Sequence, residues 1–185
     1  MAQYFECSVR YDKMQQNGSV KKVTEKYIVD ALSFTVAEAR IIAAITPYMS
    51  GDFTIPAIRK TKISEVFSTS QVALALGKTK SDVEKAIARQ SADDIEKATS
   101  VDNLLEHQDS RWFLVKVAFI TIDEKTAAEK RSVSQILVES TDVGAARERF
   151  NEGMKGTMAD YDIESIVDTK YMDVFLFSDF VKDDD

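Results

Sequence analysis

The sequence TKISEVF at residues 61–67 recurs as TKYMDVF at residues 169–175, which lie 108 positions later. The same offset aligns residues 4–11 with residues 112–119, where an aromatic pair precedes alternating apolar positions in both copies. A repeat of this kind indicates the architecture before any local pattern does, because both copies are expected to adopt the same fold. The chain is therefore predicted to be an internal duplication.

Two strands are predicted near the start of the first copy. Apolar residues alternate with polar ones from Phe5 to Tyr11, which is typical of a half-buried strand. Asn17 and Gly18 follow, and both tolerate the positive φ angles that a tight hairpin turn requires. A second strand is then predicted at residues 20–31.

A helix and a third strand complete the first copy. Thr35 and Glu38 form a capping box, which predicts that a helix begins there. We expect five apolar residues to form its core face: Val36, Ala39, Ile42, Ala43 and Ile45. The third strand is predicted at residues 53–67, and Pro56 favours an edge or a break because proline cannot donate to a sheet ladder.

The second copy follows the same order. Its predicted elements are strands at residues 113–119, 133–138 and 161–175, and a helix that Thr141 or Asp142 caps and that ends near Met154. The predicted fold class is α+β, a tandem duplication of a strand–strand–helix–strand unit, with a small antiparallel sheet covered by one helix in each copy. The predicted segments are the copies at 1–67 and 111–177, a helical insert at 68–110 and an acidic tail at 178–185.

The insert at residues 68–110 contains several helix starts and no strand signal. Ala73, Gly77 and Val83 have the spacing of a helix-turn-helix, in which the small residue allows close approach and the glycine takes the turn. Residues 81–89 would then be the recognition helix, although half of its exposed residues are acidic, which is unfavourable next to phosphates. The alternative is a helical hairpin used for packing or protein contact.

Reactive side chains are scarce. The chain has one cysteine and one histidine, so an internal disulfide is excluded and a zinc site of clustered ligands is disfavoured. Cys7 is predicted to be a packing group in the core, and His107 is predicted to lie on the surface. Residues 153–157 resemble a phosphate loop in composition, but a glycine turn at a helix end is favoured. We therefore predict no catalytic residue, no cofactor and no metal.

The charge is unevenly distributed along the chain. The net charge of −7 divides into +2 for residues 1–67, −3 for residues 68–110 and −6 for residues 111–185. Any nucleic-acid contact is therefore expected in the first copy or the insert. The candidate contacts are Arg10, Lys13, Lys21, Lys22, Lys26, Arg59, Lys60, Lys62, Lys80, Lys85 and Arg89. Tyr11 and Tyr27 could stack on bases, but their inward positions favour core packing.

The first strand of the second copy has an unusually apolar outer face. Trp112, Leu114 and Ile120 occupy positions that are more polar in the first copy. Exposed apolar surface of this kind is typical of a contact site. These three residues are the candidate protein interface, a contact for the other copy, for the insert or for a second chain, and a protein partner or self-association is expected.

Two segments resemble a known family. They are residues 45–53 (ITPYMSGDF) and residues 152–161 (EGMKGTMADY), together with the region at 22–40. They look like an uncharacterised family, a domain of unknown function, of Bacteroidota and their phages and mobile elements. The resemblance implies a bacterial or phage cytoplasmic setting, and it brings no activity, cofactor or site residue.

The predicted function is that of a non-enzymatic binding or accessory protein. Three features favour it: the missing catalytic constellation, the duplication and the acidic charge. Protein–protein contact in the cytoplasm is expected, with no membrane segment, because no apolar run approaches the ~20 residues of a membrane span. The alternative is a nucleic-acid-binding accessory protein that uses the insert or the basic face of the first copy.

Overall fold

The computed structural model describes residues 3–68 and 110–176. These residues form eight strands and two α-helices. In chain order the elements are β1 (Gln3–Met14), β2 (Val20–Ala31), α1 (Phe34–Ile45), β3 (Phe53–Lys60), β4 (Ile63–Phe67), β5 (Arg111–Ile122), β6 (Glu129–Ser140), α2 (Val143–Gly153), β7 (Asp160–Asp168) and β8 (Tyr171–Phe175). The α+β class predicted from the sequence is confirmed.

The strands form two four-stranded sheets. Sheet 1 has the order β3-β1-β2-β8, and sheet 2 has the order β4-β6-β5-β7. Each sheet thus takes three strands from one copy and one short strand from the other copy. The described chain divides accordingly into unit 1, residues 3–64 with 169–176, and unit 2, residues 65–68 with 110–168; the first division falls inside β4.

The repeated heptapeptide breaks the third strand that the sequence predicted in each copy. The hydroxyl of Thr61 donates to the carbonyl of Tyr4 at 2.8 Å and accepts from the N–H of Ile63 at 3.3 Å. In the second copy the hydroxyl of Thr169 accepts from the N–H of Tyr171. A threonine that bonds the backbone two residues on favours a turn over a continuing strand. The single strands predicted at 53–67 and 161–175 are therefore wrong, and each is two strands.

We call β4 and β8 the closing strands. β8 pairs with β2 in parallel, with Ile28 opposite Val174 and Val29 opposite Phe175. The predicted three-stranded antiparallel sheet is consequently a four-stranded mixed sheet in unit 1. The other pairings in that unit are antiparallel, and β3 lies beside β1, which is the arrangement expected of a right-handed crossover.

Both copies share a bulge at the same place. In unit 1, Ser8 is opposite Ala57 and Arg10 is opposite Thr54, so β3 has one residue too many around Pro56. In unit 2 the extra residue is Glu164, which lies 108 positions after Pro56. Proline cannot donate to the ladder, and the bulge on this edge strand leaves it no ladder bond to make.

The core of each unit lies between its sheet and its helix. Phe5, Cys7 and Val9 are fully buried beneath α1, as the alternation predicted. The equivalent residues Phe113, Val115 and Val117 are fully buried beneath α2. Full burial of side chains of this size contributes about 1.5–3 kcal/mol each for the larger ones, so these layers hold the units together.

The first helix begins earlier than predicted. The hydroxyl of Ser33 accepts from the N–H of Val36, so Ser33 is the N-cap and the predicted capping box at Thr35 is wrong. The buried face of the helix consists of Ala37, Ile41 and Ile45, which are four residues apart and therefore lie on one side of it. The predicted inward positions Ala39, Ile42 and Ala43 are exposed instead. In the second copy, Asp142 is the N-cap, one of the two residues predicted.

Gly153 is required by the closing strand of unit 2. A Cβ atom at this position would lie 2.7 Å from Cε2 of Phe67, far closer than real contacts allow. The Phe67 ring packs on the core, with its centroid 6.2 Å from that of Phe150. The absence of a side chain at residue 153 therefore lets the closing strand lie against the end of α2.

We expect Gly153→Ala to displace the Phe67 ring and to lower the free energy of unfolding of unit 2 by about 1–3 kcal/mol, the usual cost of overpacking. Chemical denaturation followed by tryptophan fluorescence measures this change, because Trp112 lies in unit 2. Gly51→Ala is the control, since nothing lies within 4 Å of a Cβ atom there. Equal effects of the two substitutions would contradict the packing role of Gly153.

Candidate functional site

The end of the β1–β2 hairpin presents a rigid turn. The N–H of Gln15 donates to the carbonyl of Ser19 at 2.7 Å, and the side chain of Asn17 accepts from the N–H of Ser19 at 3.0 Å. Gly18 has a φ angle of +79°, a conformation that glycine adopts without strain. Met14 and Val20, the last opposed pair of the two strands, are consequently held in an exposed position.

A second exposed segment lies beside this hairpin end. After α1 the chain makes a single 3₁₀ turn at Thr46–Tyr48, which Pro47 favours because its φ angle suits a helical start. Tyr48 is 79% exposed, and Met14 is 74% exposed. The two residues line one cleft of about 170 Å³, together with Lys13 and six neighbours. The remaining lining residues are Tyr11, Asp12, Met49, Ser50, Gly51 and Asp52.

We call this region the hairpin-end surface: Met14, Tyr48 and Lys13, which line the cleft, with Val20 and Lys21, which lie opposite Met14 and Lys13 on β2. Clustered exposed apolar side chains are uncommon on the surface of a protein and typically mark a contact site. Tyrosine and methionine are enriched in such contacts. The sequence did not predict this surface, because strand alternation does not show which strand ends remain uncovered.

Unit 2 carries exposed apolar residues at the corresponding places. Ile122 ends β5 as Met14 ends β1, and it is also exposed. Met158 lies in the connection from α2 to β7, which corresponds to the connection that holds Tyr48, and it is fully exposed. The apolar character of this end is therefore common to both copies, although the aromatic residue occurs in unit 1.

The cations predicted to contact nucleic acid lie on both faces of sheet 1. Opposed residues of neighbouring strands project to the same face. By this register Lys13, Lys21 and Lys60 lie on the face that carries α1, whereas the remaining strand cations lie on the other face. Those on the other face are Arg10, Lys22, Lys26 and Arg59. The structure therefore does not bring the predicted cations into a single basic surface.

Acidic and polar partners also reduce the basic character of the far face. Lys26 is paired with Glu6 at 3.1 Å, and Arg10 donates to the hydroxyl of Thr24 at 3.2 Å. Asp12 lies directly opposite Lys22. Lys13 and Lys21 are different, because they are two like charges directly opposite each other at the hairpin end.

The tyrosines predicted as stacking platforms are held by a carboxylate. Tyr11 donates to Oε1 of Glu25 at 2.9 Å, and Tyr27 donates to Oε2 at 2.8 Å. Tyr27 is also buried and stacks on Phe175 with the ring centroids 5.7 Å apart. Core packing, the alternative that the inward positions favoured, is therefore what the structure shows for Tyr27.

The sequence model of the family described as Domain of unknown function (DUF4494) matches residues 3–74 and residues 70–177. The chain belongs to this family. The two matches together span nearly the whole sequence and follow the two copies of the duplication. No curated protein matches the chain.

In this DUF4494 chain, the two family matches follow the two repeats along the sequence. The compact units do not, because each unit contains the closing strand of the other repeat. Three polar side chains of unit 1 are replaced in unit 2: Phe119, Ser134 and Ile136 occupy the register positions of Tyr11, Glu25 and Tyr27.

A polar contact also anchors the start of β8. The hydroxyl of Tyr171 donates to Oε2 of Glu6 at 3.1 Å, while Oε1 of Glu6 is paired with Lys26. Burial and the neighbouring charge of Glu6 raise the pKa of Tyr171 to about 12. Burial likewise raises the pKa of Cys7 to about 12, and it raises the pKa of Tyr27, to which the Glu25 hydrogen bond contributes.

These shifts predict a selective alkaline weakness of unit 1. A raised folded-state pKa means that the folded state holds its proton more tightly, so stability is complete below the unfolded pKa and falls as pH rises towards the folded pKa. The window runs from about pH 9–10 to pH 12. Amide hydrogen exchange at a series of pH values measures the loss of stability in each unit. We expect β1 and β2 to lose protection at a lower pH than β5 and β6. Tyr171→Phe should bring the pH values at which the two units lose protection closer together. Loss of protection at the same pH in both units of the parent protein would contradict the prediction.

The predicted protein interface on β5 is largely covered. Trp112 is only 6% exposed, and Leu114 and Ile120 are half-buried. These residues lie on the face of sheet 2 that α2 does not cover. Whether a protein contacts them stays a prediction. Of the predicted nucleic-acid contacts, Lys80, Lys85 and Arg89 lie outside the described residues, as do the proposed helix-turn-helix and His107.

The glycine turn after α2 was predicted correctly. The N–H of Lys155 donates to the carbonyl of Glu152, and Gly156 has a φ angle of +88°. Within residues 3–68 and 110–176, no group of three or more His, Cys, Asp and Glu side chains is arranged to hold a metal ion. No helix in that part of the chain is long and apolar enough to cross a membrane.

Proposed function

We propose that this chain is a non-enzymatic binding protein that contacts another protein through the hairpin-end surface of unit 1. The observation that supports this proposal most directly is the exposure of Tyr48 and Met14 around one cleft. An aromatic anchor and a flexible thioether, with charged residues at the edge, are the usual composition of a protein contact. The polar pair Lys13 and Asp52 beside the cleft would orient the partner.

The rigidity of the surrounding backbone supports the same proposal. The hairpin turn is closed by backbone hydrogen bonds, and Met49 packs partly against the core of unit 1. The exposed side chains are thus held on a fixed frame, so that binding would order only a few rotatable bonds. Contacts on such a frame lose less free energy on association than contacts on a mobile loop.

A photo-crosslinking amino acid at position 48 tests the proposal in cells of the native host. We expect one dominant protein adduct, which should be lost when Met14→Ser is added. The control places the same amino acid at position 39, an exposed site on the outer side of α1. The same adducts from both positions, or none from position 48, would contradict the proposed surface.

Nucleic-acid binding is the second candidate function. The like-charged pair Lys13 and Lys21 lies at the same hairpin end as the exposed Tyr48, and cations beside an exposed aromatic ring suit a single strand. A fluorescence titration with single- and double-stranded DNA at low salt tests it, because phosphate-driven affinity is greatest there. Binding that weakens with salt and with Lys13→Glu would favour this candidate, and no binding at low salt would exclude it.

The cellular setting is also part of the proposal. The resemblance noted from the sequence supports a bacterial or phage cytoplasm and an association with phages or mobile elements. The single buried cysteine suits a reducing compartment. Crosslinking in a host of that class therefore offers the best chance of recovering the partner.

A further inference from the structure

The closing strands make each copy incomplete by itself. Sheet 1 obtains β8 from the second copy, and sheet 2 obtains β4 from the first copy. We propose that a second copy of this chain can supply these strands, so that two chains form a reciprocal dimer in which the first copy of each chain is completed by the second copy of the other. This inference does not depend on the hairpin-end surface.

The closing strands complete the cores as well as the sheets. Phe175 packs on the core of unit 1 and stacks on Tyr27, and Phe67 packs on the core of unit 2 beside Phe150. A copy without its closing strand would expose these core residues and an open strand edge at β2 or β6. Open edges and exposed apolar residues favour pairing with another chain.

Side chains at the start of each closing strand indicate which sheet it joins. Tyr171 of β8 donates to Glu6, which is also paired with Lys26. The equivalent of Tyr171 in β4 is Ile63, which has no group to donate. Placing β4 on sheet 1 would remove the tyrosine donor from Glu6, a loss of a hydrogen bond to a charged group.

The reverse placement is unfavourable for the same reason. Leu114 and Gln135 occupy the places in unit 2 that Glu6 and Lys26 occupy in unit 1. A tyrosine hydroxyl there would lose its carboxylate acceptor. Each first copy is therefore expected to take β8 from a second copy, and each second copy to take β4 from a first copy. Pairs of two first copies or of two second copies are disfavoured.

The connection between the copies is long enough for pairing within one chain or between two chains. Residues 69–109 provide 41 residues between them, and such a length spans at most about 140 Å when extended and about 60 Å when helical. Because this connection joins the two copies covalently, the tendency to pair within one chain does not depend on protein concentration. Pairing within the chain should therefore dominate in dilute solution, and exchange between chains should increase with concentration.

Two versions of the full chain test the proposal. One carries Ile28→Cys and the other carries Val174→Cys, two positions that lie directly opposite each other on β2 and β8. The two chains are unfolded together, refolded at increasing concentration and oxidised with diamide. A disulfide between opposed positions requires that β8 of one chain lie beside β2 of the other. A single chain with both substitutions is the control, and it should form the bond internally.

We expect a disulfide-linked dimer whose ratio to monomer rises about tenfold for each tenfold increase in refolding concentration, as mass action requires well below saturation. Adding Tyr171→Ile to the second chain should reduce its yield at a given concentration. Absence of the linked dimer at every concentration, with the internal bond formed in the control, would overturn the proposal. Failure of the control bond would overturn the strand exchange itself.

Discussion

Replacing Phe175 by alanine is expected to destabilise unit 1, although residue 175 belongs to the second copy of the repeat. Its ring stacks on Tyr27 and packs against the core beneath α1. Removing a partly buried phenylalanine ring costs about 2–3 kcal/mol, from lost burial and the cavity that remains. Amide hydrogen exchange measures the effect, and protection should fall in β1 and β2 more than in β5 and β6.

The equivalent substitution in the first copy should have the opposite effect. Phe67→Ala is expected to lower protection in β5 and β6, because Phe67 packs against the core beneath α2. The two variants are matched controls, since each changes the last residue of the same heptapeptide. The exchange of closing strands would be contradicted if Phe175→Ala lowered protection mainly in β5 and β6, and Phe67→Ala mainly in β1 and β2.

Replacing Arg40 by methionine is the second substitution that is expected to lower the stability of unit 1 strongly. Arg40 lies on α1 and donates to both the carbonyl and the carboxylate of Asp30, which is 1% exposed. Removing the guanidinium would take a charged hydrogen-bond partner from that buried carboxylate, and the loss of a hydrogen bond to a charged group costs about 1.5–3 kcal/mol. A denaturation midpoint well below that of the parent protein is the expected result.

The control for this substitution lies on α2. Arg149 donates to the carbonyl of Glu139, as Arg40 does to Asp30, whereas Arg147 is exposed two residues earlier. Arg149→Met should destabilise unit 2, and Arg147→Met should change the midpoint little. Similar effects of Arg147→Met and Arg149→Met would show that these arginines do not hold the helices to their sheets.

The repeat, the strands and the burial of their inner faces could be predicted because they depend on local patterns. Phe5, Cys7 and Val9 alternate, and β2 runs from Val20 to Ala31 as its turn signal and composition indicated. The arginine contacts were also open to prediction. Arg40 follows Asp30 by ten residues, and Arg149 follows Glu139 by the same spacing, so a comparison of the two copies could have found them.

Which sheet each closing strand joins could not be predicted from local patterns. The patterns of residues 53–67 and 161–175 are compatible with one long strand, because a two-residue turn through threonine and lysine interrupts the apolar periodicity very little. Which sheet a strand joins depends on contacts between residues far apart in the chain, such as Tyr171 and Glu6. The hairpin-end surface was missed for a related reason, since exposure of Tyr48 depends on which elements cover its surroundings.

One disulfide comparison tests the strand exchange most directly. Ile28 of β2 and Leu137 of β6 are equivalent positions in the two copies, and both are fully buried. A single chain carrying Ile28→Cys with Val174→Cys should form a disulfide on oxidation, because these positions are opposed on neighbouring strands. A chain carrying Leu137→Cys with Val174→Cys should form much less of it, because β6 and β8 are not neighbours in a sheet. Peptide mapping by mass spectrometry measures both yields. A bond in the second chain and none in the first would place β8 in the sheet of its own copy and contradict the exchange.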